Sequence, residues 1–225
     1  MTRRPIHRRQ FLRLAGAALG ASALAGCGLA AAAAGVFDET PPAAPMPDIT
    51  FGGNQMDPKI LVAYASQAGS TAGVAEAIGQ ALARNGIPVD VRPINAVGDL
   101  SPYRAVVLGS AIHTGEWLPE AQAFVQRHQE ALRRIPTALF QVCMMMAAGS
   151  EQYQHMTDGW FEPAAAAVHP VAKKSFAGAL VLNRYPKLSD KLGLRIFLAT
   201  IKLKPGDYRD WDAIRGWAKS LQPLL

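Results

Sequence analysis

Three hydroxyls and a glycine stand within six consecutive residues, Ser66-Gln67-Ala68-Gly69-Ser70-Thr71. The stretch directly follows the apolar run Ile60-Leu61-Val62-Ala63-Tyr64. It opens a segment in which Val74, Ile78 and Leu82 recur at helical spacing. A loop that leaves a strand and enters a helix presents backbone N–H groups at the positive end of the helix dipole, where a phosphate is favoured. Gly69 lets the backbone approach such a group closely. The loop contains no Lys or Arg, so its donors are neutral. That argues against a Walker-type loop, which needs its lysine, and the G-x-G-x-x-G dinucleotide spacing is absent as well. Taken alone, the motif also reads as an ordinary Ser/Thr-rich helix cap.

The elements around this loop follow from hydrophobic pattern. Strands are predicted at 60–64, 89–91, 105–109, 137–143 and 175–182. Helices are predicted at 71–84, ending at Asn85-Gly86, at 119–133 with Pro119 in the first turn, and at 211–221. Strands alternating with helices give an α/β protein with a parallel sheet covered on both faces. Such sheets bind ligands beyond the carboxyl ends of their strands, where strand order reverses. Chemistry is therefore expected in the loops after the first, third and fourth strands. The second of these loops is Gly109-Ser110-Ala111-Ile112-His113-Thr114-Gly115-Glu116-Trp117. The third is Met144-Met145-Met146-Ala147-Ala148-Gly149.

The stretch Tyr64-Ala65-Ser66-Gln67-Ala68-Gly69-Ser70-Thr71 resembles the first loop of the flavodoxin-like family, Ser/Thr-x-x-Gly-x-Thr after an aromatic-containing strand. The resemblance implies a flavodoxin-like doubly wound sandwich. Its five-stranded parallel sheet would have order 2-1-3-4-5, with helices on both faces, and its cofactor would be FMN. Residues Ser66, Gln67, Ala68, Gly69, Ser70 and Thr71 would hold the phosphate. In the second loop Ser110, Ala111, Ile112, His113, Thr114 and Gly115 would border the flavin, with glycines at both ends letting the loop wrap the ring edge. His113 and Trp117 are candidates for ring contact, and a surface or packing role is the alternative for each. Met144, Met145 and Met146 would supply an adaptable apolar wall, with a buried strand end as the alternative. His113 is the one catalytic candidate, because the flavin itself carries the redox chemistry.

Further stretches are similar to the flavodoxin-type menaquinone-dependent protoporphyrinogen IX dehydrogenases. They are Val106 to Gly115 with the Phe124-Val125 helix, and Phe176-Ala177-Gly178-Ala179-Leu180 followed by Arg184-Tyr185-Pro186. A helical insertion near 187–210 ends in Asp210-Trp211. The resemblance covers about residues 59–222. It implies an FMN-dependent oxidoreductase, protoporphyrinogen oxidase-like, with a quinone as electron acceptor. A membrane-tethered electron carrier with a protein redox partner is the alternative.

The N-terminus reads as export machinery. Arg8-Arg9-Gln10-Phe11-Leu12 followed by a short apolar run resembles a twin-arginine signal, and Leu24-Ala25-Gly26-Cys27 resembles a lipobox. Residues 1–26 would be removed and Cys27 lipidated, anchoring the protein to a bacterial membrane facing the periplasm or the cell exterior. Residues 27–58, rich in Ala, Pro and Gly, read as a flexible tether, and 59–225 as the folded domain.

Charge excludes one class of partner. Of 23 basic residues, Arg3, Arg4, Arg8, Arg9 and Arg13 lie in the leader, leaving 18 against 17 acidic residues. The folded part is nearly neutral, which gives no support to nucleic-acid binding. With Cys27 assigned to lipid, Cys143 has no partner for a disulfide. The isolated histidines at 113, 128, 155 and 169 give no metal-ligand spacing. Residues 188–203 read as a helix with Lys191, Arg195 and Lys202 in one sector beside Leu192, Ile196 and Leu203. Such a helix suits a membrane interface, and core packing is the alternative.

Overall fold

A computed structural model describes residues 46–53, 58–84, 86–181 and 188–225, without the side chains of 188–191, 194 and 197. The leader, Cys27, the first part of the tether and the Arg184-Tyr185-Pro186 stretch lie outside the described residues.

The five predicted parallel strands are β2 (Lys59–Ala65), β3 (Val89–Pro93), β4 (Tyr103–His113), β6 (Thr137–Cys143) and β7 (Ala172–Ala177). They stand side by side as β3-β2-β4-β6-β7, which is the expected 2-1-3-4-5 order. Two further strands enlarge the sheet to seven. β1 (Ile49–Phe51) pairs antiparallel with β3, and β5 (Glu116–Trp117) pairs antiparallel with the end of β4. Strand β1 falls in the stretch expected to be tether. Ile49 and Phe51 pack against the core, so ordered structure begins before Lys59. A β-branched and an aromatic residue two apart fit a half-buried strand, but three residues are too short to stand out in a Pro- and Gly-rich stretch. Tyr64 donates from its hydroxyl to the Pro47 carbonyl at 2.8 Å. Burial, followed by the charges of Asp48 and Glu76, pushes its phenol up to about 12.

One face of the sheet carries α1 (Ser70–Ala83) and α6 (Trp211–Leu221), packed on Ile60, Val62, Val107, Phe140 and Ile214. The other carries α2 (Pro119–Arg134) and α4 (Glu162–Val168), over Leu61, Leu108, Leu139, Phe124 and Phe161. Strand residues alternate between the two cores with period two, as a sheet buried on both faces requires. Asp210 caps α6 by accepting from the N–H groups of Asp212 and Ala213. Two short helices, α3 (Glu151–Asp158) and α4, fill a region in which no element was predicted.

The fifth strand is shorter than predicted. It breaks at Gly178, and β8 (Ala179–Leu180) leaves the main sheet to pair antiparallel with β9 (Gly206–Asp207). Between these strands lies α5 (Leu188–Thr200), the predicted helical insertion. The helix ends three residues earlier than expected. Lys202 is left-handed at φ 56°, and the N–H groups of Lys202 and Leu203 bond back to Ala199 and Leu198, a Schellman-type ending. Lys202 therefore lies in the terminating turn and not in the helical sector. Among the described residues no helix is long and apolar enough to cross a membrane.

Candidate functional site

Register places the three loops together. Ala65 at the end of β2 is level with Ser110 of β4, and Val142 of β6 is level with Ala111. The first loop, the end of β4 and the third loop thus leave three neighbouring strands at the same height. This is the crevice at the reversal of strand order.

The first loop is built for an anion. Gly69 sits at φ 79° just before α1, a conformation strained for any residue with a Cβ. Its N–H donates to Ser66 Oγ at 3.1 Å, so the loop is held by its own first hydroxyl. Gln67 is exposed, and Ser66, Ala68 and Ser70 are half-buried. Ser70 Oγ accepts from the Ala179 N–H at 2.7 Å, leaving its own proton to donate elsewhere. Thr71 is 1 % exposed, and among the described residues its Oγ1 has no hydrogen-bond partner. A buried hydroxyl left unpaired costs about 1–3 kcal/mol. At the first turn of a helix, whose N–H groups have no intrahelical acceptor, such a hydroxyl fits a phosphate that supplies the missing acceptor. The neutral donor set fits the phosphate of FMN.

The second loop differs from expectation. It is a tight hairpin, not a wrapping loop: β4 runs to His113, Thr114 and Gly115 turn at φ 52° and 83°, and β5 returns. Two successive positive φ values suit a two-residue hairpin turn. Gly109 is not a flexible hinge; a Cβ there would overlap the Phe140 ring. Ser110 is fully buried, donates to the Ala111 carbonyl and accepts from the Leu118 N–H at 3.0 Å. Its hydroxyl shapes the return of the chain, with its proton given to Ala111 and a lone pair taken by Leu118. Trp117 is 4 % exposed and lies edge-on to Phe161, and its indole N–H donates to Gln141 Oε1 at 3.1 Å. It is a core residue, which is the packing role that stood as the alternative to ring contact. Ala111 and Ile112 are half-buried, and His113 and Thr114 are exposed at the tip with Gly115 partly covered. These five remain available to border a ligand.

The third loop is a short 3-10 turn, Met144–Ala148. Met145 is buried and belongs to the packing, so it too leaves the set of ligand contacts. Met144 and Met146 are half-buried. A Cβ on Gly178 would stand 3.0 Å from Ser70 Oγ and 3.8 Å from Met144 Sδ, so the first and third loops meet over this glycine. Met144 also packs against Leu180 of β8 and the insertion residues Leu198 and Ile201. Cys143 is buried, and desolvation pushes its thiol up to about 11 despite backbone N–H groups of Met146 and Met145.

Three supporting residues escaped the sequence reading. Gln141 is fully buried in β6. Besides accepting from Trp117, it donates to the Thr157 carbonyl at 2.6 Å and to Ser175 Oγ at 2.9 Å. It ties the hairpin, α3 and β7 into one support, and a glutamine inside the apolar run Thr137–Cys143 was the available signal. Gly178 stood inside the predicted strand 175–182 and inside the Phe176–Leu180 stretch, with nothing to mark it as the point where two loops meet. Trp160 lies against Gly115, with its Nε1 3.3 Å from where a Cβ would stand. It borders a groove of about 300 Å³ shared with Gln122, Val125, Pro163 and Ala167.

Sheet order, an anion-ready first loop and two loops flanking it define an FMN-binding α/β protein. A sequence model described as "Flavodoxin domain" matches residues 61–196. The chain belongs to the flavodoxin family. It is 24% identical over 185 residues to "Protoporphyrinogen IX dehydrogenase [quinone]" of Escherichia coli (strain K12), covering 74% of this chain and 96% of that protein. Among solved structures, "Structure of a flavodoxin from the domain Archaea" is 21% identical with TM-score 0.39, covering 64% of this chain and 99% of that one. The reduced flavodoxin of Megasphaera elsdenii is 17% identical with TM-score 0.43, covering 64% and 98%.

Proposed function

We propose that this chain is an FMN-dependent oxidoreductase, protoporphyrinogen oxidase-like, that passes electrons from a reduced organic donor to a quinone. The observation that carries the reading is the unpaired, buried Thr71 Oγ1 at the N-terminus of α1, beside the Ser66 and Ser70 hydroxyls. The printed name of the E. coli relative supports the quinone as acceptor. When bound, FMN supplies the redox chemistry, by which the donor loses two electrons and two protons and one quinone gains both as quinol.

The chain's own groups bind and orient. Ser66, Gly69, Ser70 and Thr71 would hold the phosphate. The hairpin tip from Ala111 to Gly115 and the side chains of Met144 and Met146 would border the ring. His113, exposed at the tip, is the candidate for moving a proton at a ring nitrogen. The apolar groove beside Trp160 lies next to this hairpin and offers a wall for a flat donor or acceptor. The reading includes export by the Arg8-Arg9 leader and a lipid on Cys27, which would bring the domain to a membrane-dissolved acceptor.

The test is direct. Purified protein is examined by visible absorption, reduced chemically without air, and mixed with a water-soluble menaquinone analogue. A flavin spectrum with rapid reoxidation supports the reading. A flavin spectrum with no quinone-dependent reoxidation supports the tethered electron carrier instead. Absence of flavin after reconstitution with FMN removes both.

A further inference from the structure

The insertion helix α5 has two faces of different character. Leu198 and Ile201, three residues apart, are buried against Leu180 with Met144 and Tyr153. On the opposite side Leu192 is 58% exposed and Ile196 37% exposed. They are one turn apart, so they share a face. Arg195 is exposed beside them, and Lys202 and Lys204 are exposed in the turn that ends the helix. Among the described residues, none of these three cations pairs with a carboxylate. Val181, which begins the connection into the helix, is also exposed. An aliphatic pair with Arg195 beside it, and two further exposed cations in the turn beyond the helix, is thus held outward by the residues buried on Leu180.

We propose that this face of α5 lies in the interface of an anionic lipid bilayer, with Leu192 and Ile196 among the acyl chains and Arg195, Lys202 and Lys204 at the headgroups. The occupant follows from chemistry. Aliphatic side chains beside cations match a surface that is apolar within and negative outside. A second copy of the chain would meet the same positive charge. Three aliphatic side chains also fall well short of the roughly 800 Å² per partner that a stable protein interface buries. The helix contributes an interfacial contact and does not span. This inference goes beyond the redox reading and stands apart from it, because no FMN contact takes part.

The buried Cys143 thiol makes a site-specific test practical. In full-length FMN-loaded protein carrying Cys27→Ser, single variants Leu192→Cys and Ile196→Cys are labelled with an environment-sensitive fluorophore, and Val171→Cys serves as an exposed control. Vesicles of phosphatidylcholine with phosphatidylglycerol are added, and iodide quenching is recorded. Labels at 192 and 196 shift to the blue and lose iodide quenching, while the label at 171 does not change. Replacing Arg195, Lys202 and Lys204 by Glu reverses the shift at 192 with flavin content retained. Each removed cation lowers partitioning roughly fivefold. Labels at 192 and 196 that respond no more than the label at 171 overturn the proposal. So does a shift that survives charge reversal, or one present before vesicles are added.

Discussion

The Ala179 N–H donates to Ser70 Oγ at 2.7 Å, so the insertion is hung at its entry from the first turn of α1. Its exit is tied to the same helix. Arg209 stacks over Trp211 at 4.3 Å, is paired with Asp207, and lies against Gly73 of α1. Ser70→Ala would remove one proposed donor to the phosphate and take away the acceptor of the Ala179 N–H. One hydrogen bond to a charged group contributes about 1.5–3 kcal/mol, so FMN affinity falls about 10- to 100-fold. Flavin fluorescence titration of the apoprotein checks this, and faster amide exchange at Ala179 accompanies it.

Gly109 is needed for packing and not for loop motion. Gly109→Ala places a methyl in the Phe140 ring, and overpacking of this kind costs about 1–3 kcal/mol. Thermal denaturation should show the loss, whereas Gly98→Ala, with open space around it, should leave this measure nearly unchanged.

Asp90 anchors the added edge strand. Burial pushes its carboxyl upward, but hydrogen bonds from Thr50 and Tyr103 and the charges of Arg92 and Lys59 outweigh this and hold it below the usual carboxylate value. A group depressed in the folded state stabilises above its unfolded pKa of about 3.9. That contribution is lost as pH falls through the folded value. Asp90→Ala should cost about 1–3 kcal/mol at neutral pH. Denaturant titrations of both proteins should converge as pH drops below about 4.

Cys143 should be chemically silent. Its thiol, raised to about 11 and buried, presents little thiolate at pH 8. Iodoacetamide should label it in denaturant and leave the native protein unmodified. Labelling of the native protein at a comparable rate would show that the third loop opens.

The parts of the site legible in the sequence were those with local causes. The loop from Ser66 to Thr71 was readable because hydroxyls, a glycine and a change from strand to helix coincide within six residues. Long apolar runs such as Ala105 to Leu108 marked the parallel strands. What misled were polar side chains whose partners are remote in sequence. Ser110 and Trp117 resemble ligand contacts until Leu118 and Gln141 are found to satisfy them. Met145 looked the same as its neighbours and differs only in burial. Strand β1 was hidden by its length. In α5 the residue types were visible, but only packing on Leu180 reveals which face turns inward.

Thr71 Oγ1, without a partner among the described residues, is the hydroxyl through which the first loop would hold a phosphate. Thr71→Val keeps the shape and the branched carbon and removes only Oγ1. Replacing an unsatisfied buried polar group by an apolar one of the same shape is neutral or stabilising, so the apoprotein should unfold at the same temperature or higher. FMN affinity should fall about 10- to 100-fold, because a hydrogen bond to a charged phosphate is lost. The measurement is the FMN dissociation constant of wild type and Thr71→Val, taken beside the Tm of both apoproteins. Weaker FMN binding without loss of apoprotein stability is the predicted result. Equal FMN affinity in the two proteins would contradict the account.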